Sequence, residues 1–289
     1  MEQHLSRFLS VLGGERGYSD NTTAAYRNDL AQFAEFVRQS SGDGASEPAS
    51  ITAEIAAGYV GELHRRNYAP STIARKVAAV KSFFHYMAQT GGMPADLADE
   101  LDAPKVKKNL PKTLTRDEVE RLLAVAGTGR SAKAVRDRAL LRFLYATGMR
   151  VTEVVTLTIT DVDLEQSEVH LRGRGNRGRA VPVPTETMQA LSDYVGQARP
   201  QLLRDPAEAA LFVNHRGQKL TRQGLWLIIK EHAEAAGIAD VTPHTLRHSF
   251  ASHRLNEGAD LKDLQELLGH ANLSTTQVYA TVGRQPEVV

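Results

Sequence analysis

The chain has 289 residues, of which 42% are hydrophobic, so it is long enough for two domains with real cores. It contains no cysteine, which excludes disulfides, cysteine nucleophiles and thiolate metal sites. The formal net charge is only +1, but residues 101–150 hold twelve Lys and Arg against five Asp and Glu, whereas residues 1–50 hold four against seven. A local basic zone fits a polyanionic partner, although linkers and solvated helix faces are often basic as well.

The sequence shows no run of about eighteen apolar residues, which a membrane-spanning helix would need. The N-terminal stretch M-E-Q-H-L-S-R-F-L also lacks the basic segment followed by an apolar one that is typical of secretion signals. We therefore expect a cytoplasmic protein.

The first hundred residues contain four amphipathic helical patterns, at about 1–13, 19–38, 52–66 and 71–87. Capping residues open the second pattern, and a Gly/Ser-rich loop at 42–50 follows it. We predict a small four-helix domain at residues 1–103.

A segment with two prolines and four lysines comes next and shows no helical stripe. We predict an extended basic linker at residues 104–112. Its lysines either meet the phosphates of a partner or are merely solvated, and the sequence favours neither interpretation.

A second domain is predicted at residues 113–289, where T-R-D-E at Thr115 forms a capping box. A strongly apolar helix stops at Thr147-Gly148, so Arg150 lies in a turn between helices. Three segments with period-two alternation then predict short antiparallel strands, at 159–164, 167–172 and 179–184. The last two are joined by the Arg- and Gly-rich turn G-R-G-N-R-G. Helices resume after Pro184, so the fold class is mainly α with a small antiparallel β-sheet.

The stretch 242–279 carries the residues that suggest chemistry. His244, Arg247 and His248 are spaced i, i+3 and i+4, which puts them on one face of a helix. His270 follows a helix end at Gly269, and Tyr279 comes nine residues later. Together with Arg150, this set suits the binding of a phosphodiester and its attack by a phenol.

Other interpretations of the same residues remain. His244 and His248 match half of a zinc-ligand pattern, but no Glu base lies between them and the cationic Arg247 would repel a metal. A single histidine is most often bonded to backbone groups, and Tyr279 alone would most often be a packing residue.

Three motifs, L-Y-A-T-G-M-R-V-T-E, H-T-L-R-H-S-F-A and L-L-G-H-A-N-L-S-T-T-Q-V-Y, resemble those of the tyrosine recombinases of the phage integrase family. The similarity is closest to the XerC/XerD type, which resolves chromosome dimers, and it covers nearly the whole chain. The pattern S-x-N-T-x-x-A-Y-x-x-D-L from Ser19 to Leu30 resembles the family's core-binding domain. The resemblance implies an N-terminal SAM-like core-binding domain and a C-terminal catalytic domain.

The resemblance also implies roles. Arg150 and Arg247 would grip the scissile phosphate, because a guanidinium donates two hydrogen bonds at once and stays charged. His244 and His270 would bond the phosphoryl oxygens and help to move the proton of the tyrosine. Tyr279 would be the nucleophile that forms a 3′-phosphotyrosine and releases a 5′-hydroxyl. Because the ester keeps the bond energy, neither a nucleotide cofactor nor a metal is expected.

A supporting role is expected for His248 and Glu153. The chain departs from the family at Arg174, where a lysine usually acts as general acid to the leaving 5′-oxygen. Arginine binds a phosphate but gives up a proton poorly. The tail after Tyr279 is also short, and its Gly283 and Pro286 disfavour the long helix by which family members dock onto a neighbouring subunit.

By resemblance, the partner is double-stranded DNA with a specific site, held in a C-shaped clamp, and four protomers on two sites exchange strands through a Holliday junction. The tetramer is either homomeric or shared with a paralogous recombinase. Chromosome dimer resolution at dif-like sites is the first expectation, and integration or excision of a mobile element is the second. A type IB topoisomerase, or a DNA-binding relative with weak or no cleavage because of Arg174, is the rival. The residues expected to contact DNA are Arg75, Lys76, Lys81, Lys105, Lys107, Lys108, Arg172 and Arg177.

Overall fold

A computed structural model describes residues 1–14, 18, 20–41, 48–104, 112–171, 178–270 and 272–282. The chain forms two compact units, residues 1–108 and 109–289. The division falls inside the segment 104–112 that the sequence predicts as a linker. In the described ranges, no helix has the length and apolar character needed to cross a membrane.

The N-terminal unit contains four α-helices in its described residues, as the sequence predicted. They are α1 (Glu2–Gly14), α2 (Asp20–Ser41), α3 (Ala53–Arg65) and α4 (Pro70–Gln89). The apolar stripe of each helix is buried, and aromatic rings fill the centre of the bundle. Phe33 packs edge-on against Tyr59 at 5.0 Å and against Phe84 at 5.6 Å between ring centroids.

A polar cluster ties α2 to α4 inside this unit. Asp29 is 2% exposed and lies between two basic side chains of α4. Its Oδ1 accepts a hydrogen bond from Lys76 Nζ at 3.0 Å, and its Oδ2 pairs with Arg75. Lys76 also donates to Gln32 Oε1 at 2.6 Å.

The prediction that Lys76 contacts DNA is therefore corrected. Lys76 is only 7% exposed, and its ammonium is bonded to Asp29 and Gln32. The helical pattern alone could not reveal that Asp29, 47 residues earlier, would draw this lysine inward. Arg75 differs, because half of its side chain (50%) remains exposed.

The C-terminal unit surrounds its core with nine α-helices in the described residues. They are α5 (Arg116–Ala126), α6 (Ala132–Thr147), α7 (Val151–Thr156), α8 (Thr185–Asp193), α9 (Arg199–Leu202), α10 (Arg222–Ala235), α11 (Pro243–Asn256), α12 (Leu261–Leu268) and α13 (Leu273–Val282). The apolar α6 passes through the core, with Leu140, Leu141 and Phe143 fully buried.

A three-stranded antiparallel sheet, in the order β1-β2-β3, lies in the same unit. Its strands are β1 (Val162–Asp163), β2 (Glu168–Leu171) and β3 (Arg179–Pro182). The first predicted strand is shorter than expected, because residues 159–161 form a 3-10 turn that Asp161 caps by accepting from Thr158 N at 2.8 Å. In the β2–β3 ladder Leu171 lies opposite Arg179, so these two side chains share one face of the sheet.

Three helix ends position the candidate site. Helix α6 ends at Gly148 and α12 ends at Gly269, both in left-handed conformation, which glycine adopts without the cost of a Cβ. Helix α11 begins at Pro243, and the side chain of Thr242 caps it by accepting from Thr245 N. Each of these ends is followed, within about a turn, by a residue that the sequence singled out.

The buried Asp29 cluster yields a stability prediction. Asp29→Ala leaves the Lys76 ammonium buried without its carboxylate, which we expect to lower the free energy of unfolding of the N-terminal unit by about 3–5 kcal/mol. Adding Lys76→Met should recover much of this loss, because an apolar side chain then replaces the unpaired charge. The control Glu35→Ala removes an exposed partner of Arg38 from the same helix and should change stability little.

Urea unfolding followed by two signals measures this effect. Trp226, the only tryptophan of the chain, belongs to the C-terminal unit, so its fluorescence follows that unit while far-UV circular dichroism follows both. Asp29→Ala should shift the dichroism transition and leave the fluorescence transition in place. An effect no larger than that of Glu35→Ala would contradict the prediction.

Candidate active site

Arg247 lies at the bottom of the site. Its helix, α11, turns it inward, and it is 5% exposed. Nη1 donates to Gly148 O at 2.6 Å, and Nη2 donates to Leu268 O at 2.7 Å and to His270 Nε2 at 3.0 Å. Burial and the nearby Arg150 guanidinium lower the pKa of Arg247 to about 10, so the group stays cationic at neutral pH. One guanidinium thus joins α11 to the ends of α6 and α12.

Arg150 reaches the same place from the turn after α6. Its backbone N donates to Glu153 Oε2 at 2.7 Å, which caps α7. The guanidinium donates to Glu153 Oε1 at 3.3 Å and to Gly269 O at 2.8 Å. The carbonyls of Leu268 and Gly269, which are consecutive, therefore hold Arg247 and Arg150 side by side.

A third guanidinium, that of Arg179, belongs to this cluster. Its Nη1 lies 2.9 Å from Glu153 Oε1, and its Nε donates to Leu267 O at 3.1 Å. Its Nη2 is buried and has no hydrogen-bond partner in the described residues. A Cβ at Gly269 would lie 2.7 Å from Arg179 Nη1, so a side chain there would require the guanidinium to shift.

Glu153 is the carboxylate that two of these guanidiniums share. Burial raises its pKa, but the hydrogen bonds from Arg179 and from the backbone of Arg150 outweigh burial, so the pKa lies below its ordinary value. The carboxylate is ionised at neutral pH. Three guanidiniums around one carboxylate leave an excess of positive charge, which is what an anionic ligand requires.

His270 follows the end of α12 and is held at both ring nitrogens. Nε2 faces Arg247 Nη2 at 3.0 Å, and Nδ1 lies 2.9 Å from Thr276 Oγ1. Because a guanidinium can only donate, Nε2 must accept, so the proton of the neutral ring is on Nδ1. Burial, Arg247 and Arg150 lower the pKa of His270 to about 4.

Tyr279 lies on α13 and is 3% exposed, in a small apolar cluster with Phe250, Leu264 and Leu268. Its hydroxyl is 3.0 Å from His248 Nδ1. The ring packs against His270 at 6.1 Å and 23°. Burial raises the pKa of the phenol, and this effect exceeds the opposing attraction of Arg247 and Arg150. The phenol is therefore neutral in this conformation.

His244 and His248 share one face of α11, as their spacing predicted. The two rings lie 6.4 Å apart, His244 at the exposed edge and His248 half-buried beside Tyr279. Burial, followed by the charges of His244 and Arg247, lowers the pKa of His248. His248, for which the sequence suggested a supporting role, thus contacts the phenol directly.

The structure brings together Arg150, Arg247 and His270, and joins Tyr279 to them through the rings of His248 and His270. Arg174, Arg172 and Arg177 lie outside the described residues, as do Lys105, Lys107 and Lys108. Among the described residues, no group of three or more His, Cys, Asp or Glu could hold a metal ion.

Sequence reasoning missed the contact of Arg179 with Glu153, because it placed Arg179 at the start of the third strand and gave it no role in the site. The alternation of β3 carried the signal. Val181 is fully buried, whereas Ala180 is exposed. Arg179, two residues before Val181, therefore lies on the same inward-facing side of the strand. Gly269 also has a role beyond ending α12, which no sequence pattern indicates.

The chain matches two descriptions of one protein family. Residues 112–285 match the Phage integrase family, and residues 5–91 match the Phage integrase, N-terminal SAM-like domain. It is 45% identical over 288 residues to a tyrosine recombinase XerC of Herpetosiphon aurantiacus, covering 100% of this chain and 93% of the relative. It is 40% identical over 284 residues to a tyrosine recombinase XerD of Listeria innocua, covering 98% and 95%.

The fold is similar to that of a XerH site-specific recombinase, solved as a post-cleavage complex with a palindromic difH substrate. The TM-score is 0.73 at 22% identity, over 97% of this chain and 82% of that one. The helices and the small antiparallel sheet confirm the mostly helical fold class that the sequence predicted.

The environment of His270 yields a prediction about pH. We expect the ring resonances of His270, assigned by their loss in His270→Gln, to stay unshifted from about pH 8 to about pH 5, because the pKa is lowered to about 4. In the urea-unfolded protein the same histidine should titrate near its ordinary value of about 6.5. A folded-state midpoint near that ordinary value would contradict the geometry described here.

Because the folded-state pKa lies below the unfolded one, the unfolded chain takes up this proton first as the pH falls. The stability that depends on neutral His270 is therefore present above the ordinary pKa of histidine. It is lost as the pH falls from there towards about 4.

Proposed function

This chain belongs to the phage integrase family of tyrosine recombinases, and we propose that it cleaves and rejoins specific DNA sites through a covalent bond to Tyr279. In this proposal the phenolic oxygen attacks a phosphodiester, forms a 3′-phosphotyrosyl ester and releases a 5′-hydroxyl. A 5′-hydroxyl from the partner duplex then attacks the ester, which exchanges strands and leads to a Holliday junction.

The observation that carries this proposal is the pairing of Arg150 and Arg247. Their Nη2 atoms donate to consecutive carbonyls, Gly269 O at 2.8 Å and Leu268 O at 2.7 Å, beside the small apolar cluster that contains Tyr279. The two fixed guanidiniums can donate hydrogen bonds to the oxygens of a phosphodiester. Their positive charge stabilises the negative charge that develops as the phenol attacks.

The energetics of this pocket rest on electrostatics. Each group that donates to the phosphoryl oxygens should matter greatly, since removing one such donor typically costs about 10²–10³ in rate. We assign this part to Arg150 and Arg247, with His244 as an additional donor, whereas His270 completes the pocket by accepting from Arg247. The ester conserves the energy of the broken bond, so we propose that the reaction uses neither a nucleotide cofactor nor a metal.

We also propose where the enzyme acts and with what. Relatives that cover nearly the whole chain are named XerC and XerD, and a structure with the same fold holds a difH substrate. We propose a dif-like site on the chromosome as the target. The proposed task is the resolution of chromosome dimers in the cytoplasm. Four protomers would assemble on two sites, either alone or with a paralogous recombinase.

In this proposal both units bind DNA. We propose that residues 1–103 bind the core of the site, that residues 104–112 link the domains, and that residues 113–289 carry the catalysis. Arg75 and Lys81, on α4, remain candidates for phosphate contacts after the exclusion of Lys76. The lysines at 105, 107 and 108 and the arginines at 172 and 177 stay predictions.

Arg174 occupies the position at which the family usually has a lysine. We propose that it binds the phosphate but serves poorly as an acid to the leaving 5′-oxygen, because a guanidinium gives up its proton poorly. The chain would then cleave unmodified DNA more slowly than a relative with lysine. This substitution is also the reason to keep a DNA-binding protein that does not cleave as the competing proposal.

A nicked suicide substrate with a dif-like site tests the proposed function. Cleavage near the nick releases a short fragment, which prevents religation and traps the protein on DNA. We expect a shifted protein band on a denaturing gel with the wild-type chain and none with Tyr279→Phe, which keeps the ring and removes the nucleophile. Arg174→Lys should form the same band faster.

Three outcomes would contradict the proposal. Tight binding to the site with no band from either the wild type or Arg174→Lys would support the non-cleaving protein instead. A band that persists in Tyr279→Phe would mean that another residue is the nucleophile. Relaxation of supercoiled DNA without a defined site would indicate a topoisomerase.

A further inference from the structure

The hydroxyl of Tyr279 is paired with a histidine to which the family resemblance gives only a supporting place. His248 Nδ1 lies 3.0 Å from Tyr279 Oη. We infer that His248 is a further catalytic residue, which accepts the proton of the Tyr279 hydroxyl as the phenol attacks DNA. This inference rests on the proposed function, because it assigns the base of the same reaction.

The geometry of the pair favours proton transfer. The ring centroids are 5.2 Å apart, with the planes inclined at 48°. A separation of about 2.6–3.2 Å between heavy atoms is the range in which a side chain can take a proton directly. Tyr279 is 3% exposed, so bulk water has little access to the phenol in this conformation.

The other two histidines of the site are less suited to this step. Both ring nitrogens of His270 are occupied, one by Arg247 and the other by Thr276 Oγ1. His270 meets Tyr279 with its ring face, at 6.1 Å and 23°. His244 is exposed at the start of α11 and lies one turn away from His248.

The surroundings of His248 keep its ring unprotonated at neutral pH, so that it can accept a proton. His244 and Arg247 face it from its own helix, Tyr279 from α13, and His270 from the end of α12. Burial and the positive charges of this group lower its pKa, so His248 is neutral at neutral pH. When Tyr279 becomes ionised, its negative charge stabilises the new imidazolium, so the two groups exchange a proton as a pair.

The step balances without any added reactant. The Oη–H bond of Tyr279 breaks and its proton moves to His248 Nδ1. The Oη–P bond forms, the P–O5′ bond breaks, and the 5′-oxygen takes up a proton from the solvent side of the site. In the reverse step, the imidazolium of His248 returns a proton to the tyrosine.

The chain offers a matched control for this pair. On the same helix, His253 Nδ1 lies 2.8 Å from Tyr145 Oη, outside the cluster of arginines. His253→Asn therefore makes the same replacement in another histidine–tyrosine pair and leaves the contact of Tyr279 in place. His248→Asn and His248→Gln are the test variants, because an amide can keep a hydrogen bond to the phenol but cannot take its proton.

The experiment measures the rate of covalent adduct formation on the nicked suicide substrate, with enzyme in excess and at several pH values. Binding of each variant to the same DNA is measured in parallel, which excludes a loss of folding. We expect both His248 variants to bind normally and to form adduct about 10²-fold more slowly or worse, whereas His253→Asn stays within about threefold of the wild type.

The pH profile separates a base from a structural residue. The wild-type rate should fall as the pH drops through the lowered pKa of His248, because the protonated ring cannot accept a proton. The His248 variants should lose this acidic limb, and added imidazole should partly restore the rate of His248→Gly. Normal rates with an unchanged pH profile in the His248 variants would overturn the inference and leave the proposed function intact. No adduct from the wild type would overturn both.

Discussion

The hydrogen bonds of Arg247 are the constraint on which the site depends. One buried guanidinium binds Gly148 O, Leu268 O and His270 Nε2, all within 3.0 Å. It therefore fixes the turn that leads to Arg150, the end of α12 and the ring that packs on Tyr279. Burying this cation without its acceptors would cost free energy of folding. The guanidinium and the three segments therefore hold one another in position. This network holds the side chains of the site in fixed orientations.

The second feature is local charge. The whole chain is nearly neutral at +1, but the guanidiniums of Arg150, Arg179 and Arg247 gather around Glu153. The carboxylate orients two of them without cancelling the total, so the site keeps a positive charge for an anion. Gly269 matters for the same reason, because a Cβ there would lie 2.7 Å from the Arg179 guanidinium. A positively charged site is thus built from guanidiniums that hydrogen bonds and ion pairs of the fold hold in place.

Much of this could be predicted from the sequence. Helical periodicity gave the four-helix N-terminal unit, and the i, i+3, i+4 spacing predicted that His244, Arg247 and His248 share a face. What the sequence could not show are contacts between distant segments. Asp29 withdraws Lys76 from the surface across 47 residues, and Arg179 of β3 pairs with Glu153 of α7. His248 contacts Tyr279 only because α13 packs on α11, and no local pattern encodes that packing.

The measurement that tests the central claim most directly is the mapping of the trapped adduct. The protein–DNA complex from the suicide substrate is digested with protease and nuclease, and the modified peptide is sequenced by mass spectrometry. The account predicts a nucleotide joined through its 3′-phosphate to Tyr279. A nucleotide on any other residue, or a link through a 5′-phosphate, would contradict it.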